Sequence, residues 1–370
     1  MKTDLCDMFG IEFPIFAFSH CRDVVAAVTN AGGMGVLGAL AFSPDQLRQE
    51  LDWIDRHVDG KPYGVDVVMP AKTEAGTAPN DENFLPSLQA KIPEGHKKFV
   101  EQVLEEYNVP PLAEQNQSGG LLGWTDATAR PQVDISLEHP ISLLVNALGP
   151  PPKDVVDRAH EHGVKVAALV GRADQAVKQV EQGVDIIVAQ GYEAGGHTGE
   201  IGSMVLLPEV VDAVSPTPVL GAGGIGSGRQ MAAAMAMGAQ GVWTGSIWLT
   251  VSEASTSPVI QKKLLDATSR DTVRSRVISG KPARQLRTKW TDLWERDDTP
   301  DPLPMPLQGM LVGEATSRIS RAGVEELMGS PVGQIVGQMN RVRSTREVVH
   351  GLVEEYLEAV SGLAEQLSED

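Results

Sequence analysis

The sequence of 370 residues predicts an α/β protein built as a (β/α)8 TIM barrel, and three observations support this fold class. Eight short apolar runs recur along the chain, and they are continuous rather than alternating, as in strands that are buried on both faces. Helical patterns follow most of the runs, which is typical of parallel strands joined by right-handed crossovers. The count of eight favours a closed barrel over an open doubly wound sheet, which is the alternative.

The predicted strands, in chain order, are Pro14–Phe18, Met34–Gly38, Tyr63–Val68, Ile141–Asn146, Val164–Val170, Val184–Gln190, Thr217–Gly221 and Gly241–Ile247. Helices are predicted over Asp23–Ala31, Pro44–His57, Lys153–His162, Ala173–Gln182, Pro208–Ala213 and Gly228–Met237. Some begin with capping signals, such as Ser43 before Pro44 and Ser227 before Gly228. Most of the strands follow one another at the spacing of a repeated β-loop-α unit.

Two segments interrupt this repeat and divide the chain. Residues 1–70 and 141–250 are predicted to form the barrel. Residues 71–140 are rich in proline and contain a predicted helix over Gly95–Tyr107; we expect this insertion to overhang the C-terminal mouth as a lid or specificity loop. Residues 251–370 are predicted to form a mostly helical cap, with an acidic, proline-rich stretch at 297–304 and terminal helices over Gly323–Leu367.

Composition excludes several classes of function. The chain has 31 Lys and Arg against 49 Asp and Glu, and its net charge of −18 argues against nucleic-acid binding. Its two cysteines cannot build a disulfide framework or a CxxC metal site, so no metal is predicted. No apolar run approaches the ~18 residues of a membrane span, and the first residues lack the apolar core of a signal peptide. We therefore expect a cytoplasmic protein.

The loop after the sixth predicted strand is the first candidate site, since barrel enzymes work at the C-terminal ends of their strands. It contains Gly191, Gly195, Gly196 and Gly199 around a single histidine, His197. A neutral imidazole there is a suitable proton acceptor at physiological pH. The alternative is a hydrogen-bonded loop histidine without chemistry, but the position at a strand end favours catalysis.

Glycine-rich turns after the seventh and eighth predicted strands form a second candidate site. The first turn runs from Gly221 to Arg229, and the second includes Trp243, Thr244, Gly245 and Ser246. Loops at these two places commonly bind phosphate in barrels, because glycine lets backbone N–H groups approach an anion. Tight packing of strand against helix could explain one such turn but hardly two, so we predict a phosphorylated cofactor.

Other polar residues are weaker candidates. His20 ends the first predicted strand and is a plausible pocket residue, while Asp66 on the third strand points toward the same mouth. Residues 270–289 contain seven Lys or Arg against one Asp. This basic run could steer an anionic substrate or cofactor, although a solvated helical face is the favoured interpretation.

Several of these motifs together resemble one family. The run Gln190-Gly191-Tyr192-Glu193-Ala194-Gly195-Gly196-His197 resembles the signature of the nitronate monooxygenases, formerly called 2-nitropropane dioxygenases. Further similar elements are Thr29-Asn30-Ala31-Gly32-Gly33-Met34-Gly35, Ala222-Gly223-Gly224-Ile225, Gly238-Ala239-Gln240-Gly241-Val242, Gly245-Ser246 and Ser279-Gly280-Lys281-Pro282-Ala283-Arg284. The resemblance covers residues 11–70 and 140–290 and hardly touches the insertion.

The resemblance implies an FMN-dependent barrel in which His197 is the catalytic acid/base beside the flavin. It implies FMN contacts at Asp66, Gln190, Gly195, Gly196, Gly223, Gly224, Trp243, Thr244, Gly245 and Ser246. Family members oxidise alkyl nitronates with O2, and relatives reduce quinones or enoyl thioesters with NAD(P)H. The implied partners are thus a small-molecule substrate, possibly an anion, with O2 or NAD(P)H as co-substrate.

Two departures from the family pattern concern the substrate. The first strand ends in Phe18-Ser19-His20-Cys21, where family members often have Pro-Met. Asp66 stands where Asn is usual, and we expect its carboxylate to lower the flavin's reduction potential. Nitronate oxidation is the leading hypothesis, and NAD(P)H-dependent reduction of a quinone or an enoyl or acyl thioester is its alternative. A purine-nucleotide dehydrogenase is disfavoured because no cysteine follows a mid-barrel strand; a flavin-binding scaffold or sensor is the non-enzyme alternative.

Overall fold

The predicted fold class is confirmed by a computed structural model, which describes residues 2–69, 84–111 and 126–367. Eight parallel strands form a closed barrel in the order β1-β2-β3-β4-β5-β6-β8-β9. The strands are β1 Ile15–Ser19, β2 Met34–Gly38, β3 Gly64–Val67, β4 Leu143–Asn146, β5 Lys165–Val170, β6 Ile186–Gln190, β7 Gly196–His197, β8 Val219–Ala222, β9 Gly241–Thr244, β10 Thr272–Ser275 and β11 Ala283–Leu286. In a separate antiparallel sheet, β10 pairs with β11 and β11 pairs with β7.

Helices surround the barrel and cover its ends. They are α1 Asp4–Phe9, α2 Arg22–Asn30, α3 Pro44–His57, α4 Phe84–Gln89, α5 Glu94–Glu106, α6 Asp126–Glu138, α7 Lys153–Glu161, α8 Ala173–Glu181, α9 Ser203–Val214, α10 Gly228–Ala236, α11 Pro258–Asp266, α12 Lys289–Trp294, α13 Leu307–Ala322 and α14 Thr345–Glu365. Short 3-10 helices span Ala39–Ala41, Ser246–Thr250 and Gln334–Gln338. No described helix is long and apolar enough to cross a membrane.

The barrel strands are apolar on both faces, which explains their continuous hydrophobic runs. In β1, Phe16 packs inside the barrel, whereas Ile15 and Ala17 face the surrounding helices. Helix α1 supplies Leu5 and Phe9 to the inner cluster, and the ring of Phe9 lies 5.8 Å from that of Phe16. Burial of such side chains stabilises each by about 1.5–3 kcal/mol. The two faces together form one core that fixes the strand ends around a common mouth.

Two predicted elements had the wrong boundaries. The eighth strand was expected to reach Ile247 but ends at Thr244, where Gly245 turns the chain into a 3-10 helix. Trp248 secures this turn because its Nε1–H donates to the carbonyl oxygen of Thr244 at 3.0 Å. The helix expected to begin at Pro208 begins at Ser203, and proline lies inside it.

The start of α9 is fixed by a side chain from another loop. The carboxylate of Glu193 accepts hydrogen bonds from the backbone N–H of Ser203 and from its hydroxyl, at 3.1 and 3.0 Å. Such a distant cap replaces the local capping residue that the sequence lacks. This contact also ties the loop that carries His197 to the barrel wall.

The region after residue 250 contains more than helices. Strands β10 and β11 join β7, so this part of the chain reaches back to the His197 loop. The terminal helices expected over Gly323–Leu367 are one long helix, α14, preceded by the 3-10 turn; Gly323 itself, at φ 65°, ends α13. A Cβ at Gly228 would lie 2.2 Å from the backbone nitrogen of Tyr356, so this glycine lets α14 lie directly on α10.

The insertion is described only in part. The helix expected over Gly95–Tyr107 is present as α5, and Arg318 of α13 holds the end of this segment through the carbonyl oxygens of Val109 and Pro110. The expected overhang at the mouth falls largely on residues 70–83 and 112–125, which lie outside the described residues. The division into barrel, insertion and cap stays a prediction.

Candidate active site

A cavity of about 540 Å³ lies at the C-terminal ends of the barrel strands. Its size is ordinary for a cofactor or small-molecule site. All twelve residues singled out from the sequence line it: His20, Asp66, Gln190, Gly195, Gly196, His197, Gly223, Gly224, Trp243, Thr244, Gly245 and Ser246. The structure therefore brings the candidates together, while the role of each stays a prediction.

The turns after β8 and β9 present backbone donors to this cavity. Within the described chain, the N–H groups of Gly224, Gly245 and Ser246 have no protein acceptor. Gly224 needs its left-handed φ of 69°, and a Cβ on Gly245 would meet only Phe18, at 3.9 Å. Gly245 thus leaves open space beside a free donor, which is the arrangement that an anionic oxygen requires.

Other glycines of the motif serve packing. A Cβ on Gly195 would lie 2.7 Å from the backbone nitrogen of Gly333, and one on Gly223 would lie 3.0 Å from the carbonyl oxygen of Gly191. Both positions are thus fixed by close backbone neighbours. Thr244 also has a structural role, because its hydroxyl donates to the carbonyl oxygen of Phe16 at 3.2 Å.

His197 is held in the small antiparallel sheet. It pairs with Ala283 of β11, and its Nε2 lies 2.6 Å from the hydroxyl oxygen of Ser279. That oxygen also accepts the N–H of Lys281 at 3.3 Å. The hydrogen bond to Ser279 therefore fixes the orientation of the imidazole ring.

The environment of His197 keeps the imidazole neutral. Burial, and secondarily the positive charge of Lys281, lower the pKa of His197 to about 4. Both causes disfavour the imidazolium. At physiological pH the ring can therefore accept a proton, and the positive potential from Lys281 favours an anion beside it.

The basic run at 270–289 has a structural function that was not expected. It forms β10 and β11 rather than a helical face. Arg284 is 3% exposed and donates to the carbonyl oxygen of Tyr192 at 3.1 Å, with its guanidinium 4.6 Å from the ring centroid. Arg274 donates to the hydroxyl oxygen of Thr198 at 2.9 Å. These two arginines fasten the His197 loop from both of its ends.

Asp66 differs from the expectation that it is a carboxylate. It is 3% exposed, and burial raises the pKa of its carboxyl well above the ordinary value. No described residue forms a hydrogen bond or ion pair with it. Burial therefore favours the neutral carboxylic acid over the carboxylate that the sequence led us to expect.

His20 follows β1 and Asp66 lies in β3, the two strands that flank β2. Its Nδ1 lies 2.9 Å from the carbonyl oxygen of Gly38, and burial lowers the pKa of the imidazole. A Cβ on Gly38 would lie 2.6 Å from the ring, so only glycine leaves room for it here. The ring edge packs on Phe18, with the centroids 5.1 Å apart.

Sequence reasoning did not assign a role to Ser279 or to Gly38. Ser279 lies in a run that resembles the family, but nothing in the sequence pairs it with a histidine 82 positions away. Gly38 ends a predicted strand and carries no motif. Neither role could be predicted, because each depends on a contact between segments that are distant in the sequence.

Comparisons with known proteins agree with these motifs. The family model described as "Nitronate monooxygenase" matches residues 2–355. A candidate monooxygenase of Mycobacterium tuberculosis is 54% identical over 373 residues, with 98% of each chain covered. A candidate nitronate monooxygenase of Staphylococcus aureus is 30% identical over 349 residues, with 90% of this chain and 91% of the relative covered.

A solved structure extends the likeness to three dimensions. The nitroalkane oxidase of Streptomyces ansochromogenes superposes with a TM-score of 0.80 at 26% identity, covering 97% of this chain and 99% of the other. The matches span the barrel, the loop of His197 and both glycine turns. The resemblance noted in the sequence is confirmed: the chain is an oxidoreductase that belongs to the nitronate monooxygenase family.

Proposed function

We propose that the protein is an FMN-dependent oxidoreductase that oxidises alkyl nitronates with O2. The observation that carries this proposal is the pairing of free backbone donors with a fixed, neutral imidazole in one cavity. Family membership supports the same reaction class.

The residues present fit FMN. The N–H groups of Gly224, Gly245 and Ser246 would bind its phosphate, because they have no acceptor among the described residues and the space at the Cβ position of Gly245 is open. The hydroxyl oxygen of Ser246 accepts the N–H of Gly333 at 2.9 Å, which leaves its proton for the same anion. When bound, FMN would supply two-electron redox chemistry and reactivity toward O2.

His197 would act as the acid/base of the reaction. With a pKa of about 4 it is too weak a base to remove a carbon-bound proton from a neutral nitroalkane efficiently. A nitronate arrives already deprotonated, so this substrate matches the imidazole that the structure contains. Lys281 adds a positive potential at His197 that favours binding of the anion.

A second candidate is NAD(P)H-dependent reduction of a quinone or of an enoyl or acyl thioester. One observation favours it: the cavity is about 540 Å³ and is lined by large apolar side chains such as Leu40, Leu148, Leu169 and Leu249. A short nitronate does not need this much apolar surface. A flavin-binding scaffold without turnover is the non-enzyme alternative.

Spectroscopy of the purified protein tests these proposals. We expect a flavin spectrum, with FMN identified after heat release, and anaerobic bleaching by propyl-2-nitronate but not by NADPH. Bleaching by NADPH alone would favour the second candidate. Bound FMN that neither donor reduces would indicate the scaffold, and a folded protein without affinity for FMN would refute the cofactor.

A further inference from the structure

The turn after β8 carries one of the free backbone donors of the cavity, so its position matters for any ligand there. It spans residues 223–227, and Gly223 and Gly224 have left-handed φ values of 90° and 69°. The N–H of Gly226 donates to the side-chain oxygen of Gln230 in α10 at 2.9 Å. The turn is therefore fixed to the first residues of α10, and its position depends on what holds that helix.

Helix α14 holds the start of α10 through a carboxylate. The N–H of Gly228, the first residue of α10, donates to a carboxylate oxygen of Glu355 at 2.8 Å. The two backbones are in direct contact here, because a Cβ on Gly228 would lie 2.3 Å from the carbonyl oxygen of Leu352. Glu355 is not one of the described residues that line the cavity, so any effect on a ligand there is exerted through Gly228.

Groups of the protein itself thereby satisfy the start of α10. The hydroxyl oxygen of Ser227 accepts the N–H of Gln230 at 3.4 Å, and Glu355 accepts that of Gly228. A helix N-terminus commonly binds phosphate, because its N–H groups and its dipole favour an anion. At α10 a carboxylate has this position, and the free donors that face the cavity belong to the turns, as that of Gly224 does.

We propose that Glu355 is a positioning residue for the phosphate of FMN. By holding Gly228 against α14, its carboxylate fixes the turn in which the N–H of Gly224 is presented to the cavity. This inference rests on the proposed function, since the phosphate is that of FMN, and it gives the C-terminal helix a part in cofactor binding. The dipole of α10 offsets the negative charge of Glu355, so we expect the hydrogen bond to outweigh repulsion of the phosphate.

Titration of flavin-free protein with FMN and with riboflavin, which lacks the phosphate, tests this proposal. The ratio of the two affinities isolates the phosphate contact, because both ligands have the same ring system. Glu355→Leu removes the acceptor and should weaken FMN binding about tenfold, while riboflavin binds as it does to the wild type. Glu355→Gln keeps an acceptor for Gly228 and should keep the wild-type ratio. Glu354→Leu, at an exposed position of the same helix, is the matched control and should keep it too.

A milder variant keeps the proposal testable if the leucine variant does not fold. Glu355→Asp retains the charge on a shorter side chain, so it should also lose FMN affinity relative to riboflavin. An unchanged ratio in both variants, or an equal loss for both flavins, would overturn the positioning role. FMN affinity that rises in Glu355→Gln would show that repulsion dominates and would overturn it as well. Equal affinity of the wild type for FMN and riboflavin would overturn this inference alone, whereas failure to bind either flavin would also refute the proposed function.

Discussion

Two parts of the cavity lining present different kinds of polar group. We call the residues after β8 and β9 the backbone wall and the residues at the ends of β1 and β3 the side-chain wall. At the ends of β8 and β9, backbone N–H groups of Gly224, Gly245 and Ser246 face the cavity. At the ends of β1 and β3, the side chains of His20 and Asp66 do so, and burial sets their ionisation. The backbone wall depends on glycines that are visible in the sequence. The side-chain wall depends on an environment that only the folded chain creates.

The backbone wall should respond most strongly to a side chain placed in its open space. Gly245→Val requires no left-handed backbone, since φ is −129°, and its methyl groups would occupy the space beside the free donors. Losing three hydrogen bonds to an anion should weaken FMN binding about 1,000-fold. The measurement is a fluorescence titration of flavin-free protein. Gly362→Val, in α14 with no neighbour near its Cβ position, is the control; unchanged affinity in Gly245→Val would place the phosphate elsewhere.

His197 lies in the loop after β6 and belongs to neither wall, and its replacement should separate chemistry from binding. His197→Asn should keep FMN and lose about 100-fold in turnover, the usual size of a lost general acid or base. Because the pKa of His197 is about 4, wild-type turnover should be insensitive to this group near neutral pH and fall as the imidazole becomes protonated in acid. Stopped-flow rates against pH measure this limb. Turnover that is unchanged in His197→Asn would remove the imidazole from the mechanism.

Ser279 should affect the same step to a smaller extent. Ser279→Ala removes the hydroxyl that lies 2.6 Å from Nε2 of His197, so the ring loses the hydrogen bond that orients it. We expect kcat to fall about tenfold while FMN affinity stays the same. Ser330→Ala is a suitable comparison, because this serine also lines the cavity and, among the described residues, its hydroxyl donates only to the carbonyl oxygen of Pro331. Equal rates in the two variants would show that His197 needs no support from Ser279.

The same contrast separates the features that the sequence predicts from those that depend on the folded structure. The continuous apolar strands are local patterns, and they predicted the barrel. The glycine turns, the strand ends and the family resemblance together named the twelve residues that line the cavity. The sequence shows that Asp66 is a carboxylic acid but not that it is 3% exposed, so the burial that raises its pKa could not be predicted. The arginines of 270–289 were assigned to a helical face because their partners, Tyr192 and Thr198, are some 76 to 92 positions away. Distance along the chain, rather than residue type, limited the prediction.

The smallest expected effect is on the free energy of unfolding of the ligand-free protein, and it concerns the side-chain wall alone. Burial raises the pKa of Asp66, so the folded protein retains a proton that the unfolded chain releases above its ordinary value of 3.8. The free energy of unfolding of the wild type should therefore decrease as pH rises between these two pKa values, by about 1.4 kcal/mol per pH unit at most.

Asp66→Asn has no proton to release, so its stability relative to the wild type should increase with pH over the same interval. Urea unfolding of both proteins at acid and neutral pH measures the difference, and Asp297→Asn, at an exposed acid, should show none. A difference that does not change with pH would mean that burial does not control Asp66. The contribution of Asp66 to stability would then be independent of pH, like that of the backbone wall, whose N–H groups do not titrate.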